Sequence, residues 1–320
     1  MNSDSQSPLW RFVEKKARTI VPLGGGGDGI PFYYVHSIGG EVIEFHRIAQ
    51  TIGTERRVYG IQPPRDKLSA ELGHSVRALA THYADVLINF QPKGPLLLGG
   101  WSSGAIIALE MAQILRQRGR EISLLIILDG ILYNTGGGLS IWNPLYYFKL
   151  GQNLPRWIAD NIAEGNGVRR VLSRIKTELK LAMADRPLLR PIVQRGSLLD
   201  IFLDLRRWPP AQAAFARALY DALERYEPTA YEGPVLVYVA KTQPLFHLLQ
   251  VRAAWKKIAT RVEAIFVEGT HQGMLRGSRA GILAEDLKAR LANFRPASGW
   301  SADDANPVMP TARALDTSPG

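Results

Sequence analysis

The 320-residue chain contains no cysteine. That excludes disulfides, thiolate metal sites and a cysteine nucleophile, and it points to a reducing compartment. Met1-Asn2-Ser3-Asp4-Ser5 is polar and acidic, with no basic segment running into an apolar one, so no secretory signal is expected. No apolar run is long enough to cross a membrane. These absences lead to the expectation of a soluble, cytoplasmic protein without a membrane partner. Acidic charge is in deficit: 39 Lys and Arg face 29 Asp and Glu, for a net charge of +10. Between Leu139 and Pro210 there are twelve basic and six acidic residues. Such a surface can serve nucleic acid. Aromatic residues do not alternate with the basic ones as a base-stacking platform requires, however, so no nucleic-acid partner is expected. A solvated helical face or an acidic protein partner accounts for the excess.

Apolar residues are plentiful, at 46%, enough for a large core. Strand-like runs recur at Phe32 to Val35, Val58 to Ile61, Leu96 to Leu98, Leu124 to Leu128, Val235 to Val239 and Ala264 to Val267. Several are almost continuous in Val, Ile and Leu, as strands buried on both faces are. Helical patterns lie between them: Glu41 to Thr51, Ser75 to Phe90, Ala105 to Arg118, Val251 to Ala259 and Ile282 to Phe294. This alternation predicts an α/β fold, a mostly parallel central sheet with helices on both faces.

The alternation breaks at about residues 139–230, where the segments Val171 to Met183, Leu198 to Leu205 and Ala211 to Tyr226 read as amphipathic helices. An insertion there would sit over the carboxyl ends of the strands and act as a helical lid. The expected organisation is a flexible, glycine-rich lead over residues 1–30 with room for a short strand at Thr19 to Leu23, a catalytic unit over 31–295, and a disordered tail over 296–320.

Gly100-Trp101-Ser102-Ser103-Gly104 is a G-x-S-x-G pentapeptide between a strand-like and a helix-like run. That context predicts a nucleophile elbow with the Ser102 hydroxyl raised above the sheet. A serine hydroxyl needs a base, and the base needs an orienting acid. Of the six histidines, His46, His74 and His82 fall in helical patterns, His247 opens a helix, and His36 ends a strand beside Gly39-Gly40. His271 lies in the loop after the last strand, from which it can reach the elbow, and it is the expected base. The strand after the insertion ends in Val239-Ala240-Lys241-Thr242-Gln243-Pro244, with no carboxylate. Asp129, closing the apolar run Leu124 to Leu128, is therefore the expected acid, since a carboxylate buried there needs a partner. The alternative for Asp129 is a helix cap or turn residue.

An oxyanion hole needs two N–H donors. One is expected from the Ser103 backbone. The other is expected from the loop His36-Ser37-Ile38-Gly39-Gly40, with Ile38 the first candidate and Ser37 the second. His36 reads as a residue shaping this loop, with a second base as the alternative. No metal or cofactor site is expected.

Phe32-Tyr33-Tyr34-Val35-His36-Ser37-Ile38-Gly39-Gly40, Gly99 to Gly104, Leu128-Asp129-Gly130 and Val267-Glu268-Gly269-Thr270-His271 together resemble the thioesterase domains that end non-ribosomal peptide synthetases and polyketide synthases. Tyr226-Glu227-Pro228 leading into Tyr231-Glu232-Gly233-Pro234 fits the same pattern. The resemblance covers roughly Val21 to Phe294. It implies a serine hydrolase that takes an acyl, peptidyl or polyketide chain from the phosphopantetheine thioester of a carrier protein. Release would be by hydrolysis or cyclisation, with the acid at the strand position that Asp129 occupies. It implies no cofactor bound by the protein itself. No carrier-domain serine motif lies upstream, so the expected carrier acts in trans or belongs to a longer chain. The remaining functional alternatives are a carboxylesterase or lipase of small esters, an acyltransferase to a separate amine or alcohol, and a non-catalytic binding module on the same scaffold.

Overall fold

The computed structural model describes residues 19–294, apart from 65–67, 131, 133–138, 140–141, 164–170, 173, 180–198, 200–202, 204, 247 and 249. In chain order the main elements are β1 (Ile20–Val35), α1 (His46–Ile52), β2 (Arg56–Ile61), α2 (Ala70–Gly73), α3 (Val76–Phe90), β3 (Leu96–Trp101), α4 (Ser103–Gln117) and β4 (Ile122–Leu128). They continue with α5 (Pro144–Ala163), α6 (Pro210–Arg225), β5 (Tyr231–Ala240), α7 (Val251–Ile258), β6 (Ala259–Val267) and α8 (Gly277–Leu291). The strands form one sheet in the order β2-β1-β3-β4-β5-β6.

The first strand corrects the expectation of a flexible lead as far as residue 30, because it begins at Ile20 and carries the glycine run inside it. Ile20, Val21, Pro22 and Gly24 lie opposite Ile61, Gly60, Tyr59 and Val58, a falling register, so this part runs against β2. From Phe32 to Val35 the register rises from Val58 to Ile61 and the two strands run together. The glycines turn the chain around the start of β2. Gly25 has φ +107°, and a Cβ on Gly27 would lie 2.1 Å from the Glu55 carbonyl carbon. Side chains cannot occupy such positions. The remaining pairings are parallel, so the sheet is mostly parallel, as expected.

Strand alternation divides the core into two layers. Tyr33, Val35, Leu96, Leu98, Leu125, Ile127, Val235, Val237 and Val239 pack on one face with residues of α3, α4, α6 and α7. Phe32, Tyr34, Leu97, Leu124, Ile126, Leu128, Leu236 and Tyr238 pack on the other with residues of α1 and α8. Complete burial of each aliphatic side chain contributes about 1.5–3 kcal/mol, and these strands bury nearly all of theirs on both faces.

The insertion is helical at both of its described ends. Helix α5, with Pro155 inside it, was not among the helical patterns read from the sequence. Helix α6 matches Ala211 to Tyr226 but does not stand over the sheet as a lid. Its Phe215, Leu219, Ala222 and Leu223 belong to the main core beside α3 and α4. Within Val171 to Met183, residues 171–172 and 174–179 are described and helical; most of Leu198 to Leu205 lies outside the described residues, as do residues 1–18 of the lead and the tail 296–320.

Candidate active site

The pentapeptide forms the sharp connection between β3 and α4. Ser102 has φ 56° and ψ −123°, in the left-handed half of the map that a non-glycine residue rarely adopts and that costs about 1–3 kcal/mol. Its N–H donates to the Leu128 carbonyl at 3.1 Å, which ties the strained residue to the end of β4. The flanking glycines make the turn possible. A Cβ on Gly100 would lie 2.3 Å from the Gly104 carbonyl carbon, and one on Gly104 would lie 2.4 Å from the carbonyl oxygens of both Val35 and His36. The start of α4 therefore presses directly against the end of β1.

Asp129 follows β4 with φ 47° and is buried. It caps no helix. Its N–H donates to the Tyr238 carbonyl at 2.8 Å. Oδ1 accepts from the Ala240 N–H at 3.0 Å, and Oδ2 lies 2.7 Å from Nδ1 of His271. A carboxylate can only accept, so neutral His271 carries its proton on Nδ1 and leaves Nε2 as an acceptor. Asp129 is half of a buried acid–imidazole pair.

His271 sits in the loop between β6 and α8, and 30% of its side chain is exposed. Trp101, the residue before Ser102, holds it in two ways. The indole N–H donates to the His271 carbonyl at 3.0 Å, and the two rings stack with centroids 4.7 Å apart. The loop that carries His271 is thereby fastened to the elbow. In the sequence Trp101 stood out only as part of the pentapeptide; a tryptophan's wide apolar face and single donor were the available signal.

The end of β5, where a carboxylate was absent from the sequence, holds Thr242. Its hydroxyl donates to Oδ2 of Asp160 at 2.5 Å, and Asp160 also pairs with Arg279. A carboxylate from α5 thus stands near this position, engaged with threonine and arginine rather than with His271. Sequence reasoning gave no hint of it, because α5 and β5 lie far apart in the chain.

His36 is fully buried. Its Nδ1–H donates to the Ser37 carbonyl at 2.5 Å, and its Nε2 accepts from the Tyr83 hydroxyl, 2.8 Å away. Burial lowers its pKa to about 4. Both ring nitrogens are committed, so His36 shapes the loop and is no second base. His46, His74 and His82 lie on or beside helices α1, α2 and α3; His247 lies outside the described residues. The loop that carries Ile38 meets the start of α4, where Ser103 lies, through the contact of Gly104 with the Val35 and His36 carbonyls. Ser103 opens α4 and is buried, at a helix N-terminus where N–H groups point outward. Among the described residues, no group of three or more His, Asp or Glu could hold a metal ion, and no helix is long and apolar enough to cross a membrane.

Comparison with known proteins places residues 31–132 in the family model "Thioesterase domain". A dimodular nonribosomal peptide synthase of Bacillus subtilis is 36% identical over 110 residues, which cover 34% of this chain and 5% of that protein. The nonribosomal peptide synthetase imqB of Aspergillus flavus is 31% identical over 133 residues, covering 41% of this chain and 4% of that protein. The chain thus spans only a small fraction of these curated relatives. Among solved structures, the NocB thioesterase domain from the nocardicin cluster superposes with a TM-score of 0.56 at 20% identity, covering 86% of this chain and 99% of that one. At that identity the likeness establishes a shared fold.

Proposed function

We infer from its membership of the thioesterase-domain family, carried by residues 31–132, that the chain releases an acyl, peptidyl or polyketide chain from a carrier-protein phosphopantetheine thioester through a Ser102 acyl-enzyme. The observation that carries this reading is the Asp129–His271 pair at 2.7 Å, held by Trp101 beside a serine in a strained elbow.

In the proposed reaction, Nε2 of His271 takes the Ser102 proton as the oxygen attacks the thioester carbon. Asp129 stabilises the imidazolium that forms. The Ser103 N–H and an N–H of the 36–40 loop hold the developing oxyanion. The carbon–sulfur bond breaks, and the pantetheine sulfur leaves as a thiol with the proton from His271. His271 then deprotonates the acceptor, which is water for hydrolysis or an internal hydroxyl or amine of the chain for cyclisation. A second collapse frees Ser102. The phosphopantetheine belongs to the substrate, and the mechanism asks for no cofactor of the protein's own. The basic residues between Leu139 and Pro210 suit an acidic carrier protein and would raise its rate of encounter. In this reading the catalytic unit runs from about residue 20 to residue 294, and the lid is the part of the insertion ahead of α6.

The direct test is the intact mass of the protein after mixing with an acyl-loaded carrier, alongside Ser102→Ala. An acyl adduct on the wild type alone is the expected result. Carrier unloading by Ser102→Ala at the wild-type rate would refute the nucleophile.

A further inference from the structure

We propose that the cavity between the 36–40 loop, the end of β2 and the start of α6 is a binding site for part of the acyl chain. It takes an apolar group the size of an aryl ring or a leucine side chain, joined to an amide that pairs with Gln62. The inference rests on the acyl-enzyme reading above and names its substrate as a peptidyl chain.

The cavity measures about 180 Å³. An apolar cavity of roughly 150 Å³ is enough to hold a benzene ring. Val42, Ile43, Pro63 and Leu68 are among its walls. Ile43 and Ala211, which also line it, are exposed, so it opens to solvent. Gly39 and Gly40 bring the loop to its edge. A Cβ on Gly39 would lie 3.3 Å from the Trp208 ring, and one on Gly40, which has φ +72°, would lie 3.3 Å from Leu68 and Pro63. The Gly39 carbonyl accepts from Nε2 of Gln212 at 2.7 Å, which ties the loop to α6. The cavity thus begins one residue from Ile38, whose N–H is the first candidate for the second oxyanion donor.

Gln62 follows β2, lines the cavity and is only 6% exposed. Its N–H donates to the Thr19 carbonyl at 2.9 Å. Its side-chain amide has no hydrogen-bond partner among the described residues. The other buried glutamines are bonded within the chain. Gln91 accepts from the Tyr33 hydroxyl and donates to the Lys93 and Pro95 carbonyls. Gln113 donates to the Thr229 carbonyl and accepts from the Thr229 hydroxyl. A buried polar group left unpaired calls for a reason. A side-chain amide offers both a donor and an acceptor, so one peptide group of a ligand would satisfy both its ends. Apolar walls with a single orienting polar group are the usual make of a ligand pocket. Among the described residues that line it there is no Lys or Arg, and the one charged residue is Glu41. That disfavours the phosphate end of the pantetheine arm, the other amide-bearing part of the substrate, and points to the acyl chain as the occupant.

The test measures kcat/KM for N-acetylcysteamine thioesters of tripeptides with one phenylalanine placed at each position in turn. The references are the all-glycine tripeptide and a phenylalkanoyl chain of matching length. Wild type, Gln62→Leu, Ala211→Phe and Ser102→Ala are compared. In wild type one phenylalanine position should exceed all-glycine by about 10- to 100-fold, as burial of the ring implies. It should exceed the amide-free phenylalkanoyl chain by about fivefold, as one net hydrogen bond implies. Ala211→Phe fills the cavity and should erase the first preference; Gln62→Leu should erase the second. The melting temperature of Gln62→Leu should not fall, because the native amide has no bond within the chain to lose. Where either variant does not fold, Ala211→Leu or Gln62→Met replaces it with the same expectation. Absence of a favoured phenylalanine position, or a folded variant that keeps its preference, overturns the inference. So does an effect of Gln62→Leu that follows the leaving group, read by comparing pantetheine and N-acetylcysteamine thioesters of one acyl chain, since the cavity would then hold the arm. If wild type releases every thioester no faster than Ser102→Ala, the acyl-enzyme reading fails and this inference with it.

Discussion

In the proposed mechanism, Asp129→Asn separates orientation of the base from all else in the site. The new amide must still meet the Ala240 N–H, which now donates to Oδ1 at 3.0 Å. Only the amide oxygen can accept it. The amide NH₂ is then turned toward Nδ1 of His271, where a carboxylate oxygen now sits at 2.7 Å. The reverse placement sets two donors face to face and strands a buried N–H, at a cost of about 1–3 kcal/mol. The favoured placement needs Nδ1 as an acceptor, so the imidazole proton moves to Nε2. Nε2 then donates where it should accept, and the Ser102 proton has no base. The expected loss in kcat is about 10⁴-fold, equivalent to roughly 5.5 kcal/mol of barrier. Fold and melting temperature should stay nearly unchanged, because both hydrogen bonds are remade. Steady-state thioester turnover measures the loss, and ¹⁵N NMR of the His271 ring reads the tautomer. Turnover within tenfold of wild type, or a ring that keeps its proton on Nδ1, would refute the reasoning.

Gly104→Ala should destabilise the chain by about 1–3 kcal/mol through overpacking, since the new Cβ would lie 2.4 Å from the Val35 and His36 carbonyl oxygens. An unchanged melting temperature would show that the elbow does not press on β1 as described. Two titratable groups, His36 and Glu44, should give stability opposite pH slopes. The pKa of His36 is lowered from 6.5 to about 4, so its contribution is complete above 6.5 and is lost as pH falls toward 4, up to about 3 kcal/mol. The pKa of Glu44 is raised from 4.5 to about 7, so its contribution is complete below 4.5 and is lost as pH rises through 7, by a similar amount. Denaturation midpoints from pH 4 to 8 should show both slopes, and Glu44→Gln should lack the alkaline one; a variant that kept it would place that titration elsewhere.

The strands beyond β1 were legible because a strand buried on both faces is written as an unbroken apolar run, and Leu124 to Leu128 is one. The elbow was legible because strand, turn and helix follow one another within about twenty residues. Asp129 and His271, 142 residues apart, could be paired only by chemical need and chain order, and the structure puts their side chains in contact. The reversal inside β1 was hidden by Gly24 to Gly27, since glycines carry no side-chain pattern and their backbone freedom reads as looseness. Helix α5 was obscured by Gly151 and Pro155, two residues that usually break helices. Helix α6 was read as lid because its amphipathic pattern shows that one face is buried without saying against what. Nor could sequence reveal that His36 faces Tyr83.

The place of the insertion also has a consequence for biosynthesis. β4 ends at Leu128 and its neighbour β5 begins at Tyr231, so roughly a hundred residues must be made before the sheet can continue. At about 5–20 residues per second, translation takes on the order of 5–20 s to supply them. Throughout that interval the backbone of Ile122–Leu128, a run of apolar residues, forms the open edge of a half-built sheet, and such an edge is a template for pairing with another chain. A nascent chain stalled inside the insertion is therefore the species most prone to aggregate. Shortening the insertion should raise the soluble yield of the protein even where it lowers activity.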